Sequence, residues 1–168
     1  YDLHRNTFVR HGHEPYLSRA FFAAVAKNPD SGLVVTLALH ADDIVATAVC
    51  FAGADTLYGR YWGSAEEFHS LHFETCYHQG IEYCIQQGLQ RFEPGTQGEH
   101  KISRGFEPTL TWSAHYIAEP RFRSAIADYL RREARNVDEY VEAARAHVPY
   151  KELPALSAAT ADLPLPVK

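Results

Sequence analysis

Apolar residues recur along this chain with two different periods, and the switches between them mark out its elements. Over residues 15–27 the run Tyr-Leu-Ser-Arg-Ala-Phe-Phe-Ala-Ala-Val-Ala repeats at helical spacing, with Pro15 suited to a first turn. Asn28-Pro29-Asp30-Ser31-Gly32 ends that pattern. Residues 33–40, 44–51 and 56–62 are then rich in β-branched and aromatic side chains, which predicts three strands. Their connectors, Ala41-Asp42-Asp43 and Gly53-Ala54-Asp55, are short enough for hairpins, so the three strands form an antiparallel meander. Ser64 followed by Glu67 reads as a capping box opening a helix that runs to about Gln87 and closes at Gly88. On that helix Phe73, Cys76, Tyr77, Gly80, Ile81 and Cys84 share one face. Gly80 on the stripe predicts close approach to the sheet, and Glu74 at its margin predicts a partly desolvated carboxylate. Residues 90–93 and 109–117 read as two further strands. After Pro120 an amphipathic helix over 121–147 carries Phe122, Ile126, Tyr129, Val137, Tyr140, Val141 and Ala144 at three- and four-residue steps. At 1.5 Å per residue it is about 40 Å long, more than a small domain covers, and docking on a second copy or on more of the chain is expected.

With 168 residues, 46% hydrophobic and 22% charged, the chain suits one soluble domain, assigned to residues 1–150. Residues 1–14 are polar and show no clear element, and 151–168 are a Pro/Ala-rich tail. A net charge of −5 without a basic tract disfavours nucleic acid as a main partner. Three cysteines without a CxxC pair argue for reduced thiols and a cytoplasmic setting, with Cys50 and Cys84 in the core. No run is long enough to span a membrane. His11-Gly-His13 lacks acidic or thiol partners, so no metal site is read there. The chain has no methionine and opens on Tyr1, from which it is expected to be part of a longer protein.

The chemistry is densest over residues 93–106, Glu-Pro-Gly-Thr-Gln-Gly-Glu-His-Lys-Ile-Ser-Arg-Gly-Phe. Its glycines allow close backbone approach to a ligand, its carboxylates and histidine offer an acid and a base, and Lys101 and Arg104 offer anchors for phosphate or carboxylate. A solvated connector is the competing reading, with Glu93 or Glu99 paired to Lys101 or Arg104 to fix its shape. The third strand, Leu57-Tyr-Gly-Arg-Tyr-Trp-Gly63, places Arg60 among large aromatics. It reads equally as a cleft lining and as an edge strand with cross-strand aromatic packing.

Four stretches resemble a known family: Leu57-Tyr-Gly-Arg-Tyr-Trp-Gly63, Leu71-His-Phe-Glu-x-Cys-Tyr77, Gly95-x-Gln-Gly-Glu-His-Lys-x-x-Arg-Gly-Phe106 and Ser113-Ala-His115. They look like the FemAB-like predicted N-acyltransferases, also labelled peptidoglycan biosynthesis/recognition, over about residues 8–152. The resemblance implies an α+β, GNAT-like fold: a mostly antiparallel mixed sheet of about five strands, flanking helices and a long C-terminal helix. It also implies the C-terminal half of a protein about twice this length, with the 93–106 loop at the mouth of the sheet facing Arg60 and Glu74. The implied reaction moves an acyl or aminoacyl group onto an amine of a small-molecule or muropeptide-like substrate. Glu74, Glu99 and His100 are then candidates for the base, Lys101 and Arg104 for anion contacts, Arg60, Tyr61 and Trp62 for the cleft, and Gln97 and Gly98 for polar contacts. A glycine-rich pyrophosphate loop for acyl-CoA is expected after the third strand, but Gly63-Ser-Ala-Glu-Glu-Phe stands there. Two carboxylates repel a diphosphate, which shifts weight to aminoacyl-tRNA as donor. A non-catalytic recognition domain is the alternative.

Overall fold

The computed structural model describes residues 1–95 and 98–150. Gln97 and the predicted tail lie outside the described residues. The chain divides into two compact units, Tyr1–Thr96 and Gln97–Lys168.

The first unit is built on a four-stranded sheet in the order β1-β2-β3-β4. β1 (Leu33–His40), β2 (Asp43–Ala52) and β3 (Thr56–Ser64) form the expected antiparallel meander. β4 (Arg91–Glu93) then adds parallel to β3, pairing only Thr56, Leu57 and Tyr58. An ion pair from Arg91 to Asp55 at 2.6 Å and the Arg91 Nε donation to Thr56 Oγ1 hold this short pairing. Cys50, Leu57 and Cys84 form the core, with Val34, Tyr83, Leu89 and Phe92 packed around them. Burial, and then the neighbouring Cys84, pushes the Cys50 thiol up to about 11.

One face of the sheet is covered by a helical run that changes geometry along its length: α3 (Leu71–Phe73), a π-helical turn (Glu74–His78) and α4 (Gln79–Gln87). The predicted start at Ser64 is wrong. Ser64 belongs to β3, where its carbonyl and hydroxyl accept from Arg10, and the helix opens only after Ser70 in a left-handed conformation. Gly88 ends it with φ +68°, as expected. Gly80 is buried as predicted, because a Cβ there would lie 2.5 Å from the Phe92 ring. The π turn shifts the helical stripe, so Thr75 is buried while Ile81 is exposed.

The opposite face is covered by α1 (Asp2–Arg10), an element hidden by the polar appearance of residues 1–14. Only one side of it is apolar: His4 is buried against Phe8, Phe22 and Tyr61. α2 (Arg19–Lys27) starts four residues later than predicted, because the Ser18 side chain caps it by accepting from the Phe21 amide.

The second unit contains a 3-10 helix (Glu99–Arg104), an irregular stretch over 106–118 and the long α5 (Pro120–Arg145). The strand expected over 109–117 does not form, and Trp112 and Tyr116 in that stretch are exposed. The described residues thus give four strands rather than five, within the α+β class expected. Arg145, with a largely buried side chain, pairs with Glu107 at 3.6 Å, and Ala144 and Val148 are buried beside it in sequence.

Candidate functional site

The predicted site residues divide between the units. Arg60, Tyr61, Trp62 and Glu74 belong to the first; Gly98, Glu99, His100, Lys101 and Arg104 belong to the second.

In the first unit the decisive local feature is a β-bulge. Val49 lies opposite Tyr61 and Cys50 opposite Gly59, so Arg60 is the extra residue with no partner on β2. An extra residue reverses the inside–outside alternation beyond it. Leu57 therefore faces the α4 core, and Trp62, five residues later, faces the same side and stacks edge-on to His72 at 5.3 Å. Tyr61 faces the other way, into the α1–α2 cluster, 4.7 Å from the His4 ring with its hydroxyl 3.0 Å from that of Tyr16. Burial, then the Tyr16 hydrogen bond, raises the Tyr61 phenol. The structure thus separates Tyr61 from Trp62: the two aromatics expected to line one cleft lie on opposite faces of the strand.

The flank of β3 that faces β4 is equally specific. Pairing stops at Tyr58, and Gly59–Ser64 continue with no strand on that side among the described residues. Pro94 turns the chain beside Gly59, where a Cβ would sit 3.3 Å from the Pro94 Cα. A strand flank without a strand partner among the described residues, next to an exposed arginine, can accept an extended ligand through backbone hydrogen bonds and a carboxylate or phosphate through the guanidinium.

His72 also meets Tyr77 at 5.3 Å, and this aromatic chain ties β3 to the π turn that carries Glu74. Glu74 is not the desolvated carboxylate predicted. It is half exposed, and bonds from Gln79 at 2.9 Å and from His78 at 2.7 Å hold its carboxyl below the usual range. A carboxylate held this way is a poor base and a good orienting group. Its partner His78 was set aside on the sequence as pointing away from the other histidines of the helix. The readable signal was the i,i+4 spacing of Glu74 and His78.

In the second unit the loop is held by its own backbone and by α5. Gly98 has φ +106°, and a Cβ there would meet the His100 ring at 2.3 Å. Glu99 accepts from the Tyr140 hydroxyl at 3.0 Å, which raises that phenol. Arg104 donates to the His100 carbonyl at 2.7 Å. Glu99 therefore ties the turn to α5. Among the described residues, no group of three or more His, Cys, Asp or Glu is arranged to hold a metal ion.

The comparisons with known proteins fit this picture. The FemAB-like family, described as peptidoglycan biosynthesis/recognition, matches residues 1–152. The chain belongs to that family. No curated protein and no solved structure matches it. Membership ties the chain to peptidoglycan, by way of its synthesis or its recognition.

Proposed function

We propose that this chain is part of a Fem-type transferase that moves an acyl or aminoacyl group onto an amine of a cell-wall precursor, at the cytoplasmic side. The observation that carries the reading is the pair of local irregularities in the first unit. The bulge at Arg60 beside the strand flank without a strand partner offers a place for an extended, anionic substrate, and the π turn, tied to Trp62 of the same strand through His72 and Tyr77, presents Glu74–His78. Both kinds of irregularity are frequent next to functional sites.

Transfer to an amine needs a group that takes the amine proton as the new C–N bond forms. His78 is our choice for that role, with Nδ1 held by Glu74 and Nε2 directed away from that bond. Arg60 is assigned to the substrate's carboxylate or phosphate, and Trp62 with His72 to an apolar contact on the helix-covered face of β3. Lys101 and Arg104 are assigned to anion contacts of the donor, and Glu99 and His100 to the shape of the loop that presents them. The connection after β3 carries exposed Glu66 and Glu67, which disfavours a diphosphate there and favours aminoacyl-tRNA over acyl-CoA as donor. The same acidic connection favours a second reading, a recognition domain without a donor.

Calorimetric titration of the full-length protein separates the two. Transfer predicts binding of a muramyl-peptide precursor together with either acyl-CoA or charged tRNA. Retained precursor binding with no donor binding leaves only the recognition reading, and no binding of any of them sinks both.

A further inference from the structure

We propose that the first half of α5, with the segment leading into it, is a surface that lies on an anionic lipid bilayer. Phe122, Ile126, Tyr129 and Leu130 recur at helical spacing on one side of the helix, and all four are exposed, Phe122 by 66% and Leu130 by 51%. Over residues 119–135 the segment carries five arginines, at 121, 123, 131, 132 and 135, against three carboxylates, Glu119, Asp128 and Glu133, with Arg121 paired to Glu119 and Arg131 to Asp128. The chain as a whole carries −5, so this is a local reversal of charge that complements an anionic surface. Just before the helix, Tyr116 is 85% exposed and lies against the Arg123 guanidinium, 5.7 Å from ring centre to Cζ. Arg123 also donates to the Ile117 and Ala118 carbonyls, which fixes this aromatic–arginine pair at the start of α5.

An exposed apolar stripe with aromatic residues, flanked by arginines whose stems can snorkel, is what a helix lying in a bilayer interface presents. No helix among the described residues is long and apolar enough to cross a membrane, so the helix lies on it. The surface has a readable limit. Glu133 falls on the same stripe, where it accepts from the Tyr129 hydroxyl, and Asp138, Glu139 and Glu142 reverse the charge beyond it. A second copy paired antiparallel, with these arginines against Asp138, Glu139 and Glu142, is the other occupant, and the test distinguishes it from the bilayer. The inference does not depend on the transfer reading, and its test involves no turnover.

The test is co-sedimentation of the full-length protein with vesicles of phosphatidylcholine, with and without phosphatidylglycerol. Binding is expected to the anionic vesicles only, and to weaken in about 1 M salt, where charges are screened within about 3 Å. Reversing Arg121→Glu together with Arg132→Glu, the two arginines on one flank of the stripe, is expected to weaken it at least about tenfold, since each arginine at the surface contributes several-fold. Phe122→Ser is expected to weaken it comparably. All three side chains are exposed, so circular dichroism melting should not move. Equal binding to neutral vesicles, or none to either, overturns the proposal. So does a concentration-dependent dimer that Phe122→Ser breaks in a protein that binds no vesicles.

Discussion

In the first unit the candidate side chains project from a strand and a helix packed on Cys50, Leu57 and Cys84. In the second they project from one 3-10 turn bonded to itself and to α5. The contrast predicts two kinds of sensitivity. Where a site stands on a packed sheet, the damaging changes are those that push neighbouring backbones apart. Where it stands on a turn, they are those that deny the backbone a left-handed conformation. Both units use glycine, but for these different reasons.

The largest effect is expected at Gly63. A Cβ there would sit 2.3 Å from the Leu3 carbonyl carbon and 2.4 Å from the His4 amide, and backbone cannot swing aside as a side chain can. Gly63→Ala is expected to cost about 3 kcal/mol, the upper end for overpacking, because α1 must lift off β3. Urea unfolding followed by far-ultraviolet circular dichroism measures it, and a loss under about 1 kcal/mol would mean that α1 is not packed on the strand.

Next comes a dependence on alkaline pH that belongs to the packed core. Unfolded Cys50 ionises near the ordinary 9.0, while the folded thiol keeps its proton to about 11. Between those values the folded state binds more protons, so stability falls as pH rises through the window, by roughly 2 kcal/mol. The slope between pH 9 and 11 should be smaller in Cys50→Ala, once its lower starting stability is subtracted. An unchanged slope would place the titration elsewhere.

Gly105 should give a smaller effect, in the second unit. It closes the 3-10 turn at φ +90°, a conformation that costs other residues about 1–2 kcal/mol, and a Cβ there also meets the Tyr150 hydroxyl. Gly105→Ala is expected to lower thermal stability modestly while leaving Gly63-dependent packing intact. A double mutant with Gly63→Ala tests this: the two losses should add, since the glycines sit in separate units.

The meander was legible in the sequence because β-branched and aromatic runs broken by short Asp- and Gly-containing connectors leave few alternatives. Gly80 and Gly88 were legible for the same kind of reason, since each glycine interrupts an otherwise regular helical pattern. The false strand over 109–117 shows the limit of local preference: its aromatic residues favour a strand, yet among the described residues no strand pairs with it. α1 was missed because its single apolar stripe is anchored by a buried histidine, which reads as polar. The bulge at Arg60 and the π turn at Glu74–His78 each insert a residue into a regular pattern without any special composition, so the inversion of Tyr61 and the Glu74–His78 pair became visible only in three dimensions. The 93–106 loop was legible as chemically dense, but the Glu99–Tyr140 and Arg104–His100 bonds show that part of that density holds the turn itself.

The bulge and the π turn together are the site proposed for the first unit. Single-turnover transfer from the donor identified by titration to a muramyl-peptide precursor tests it most directly, run on Arg60→Ala, His78→Gln and Glu74→Gln. Arg60→Ala is expected to weaken precursor binding, whereas His78→Gln is expected to slow transfer by about 10²-fold or more with binding retained, and Glu74→Gln to slow it less. Transfer at the parental rate in both His78→Gln and Arg60→Ala would contradict this assignment.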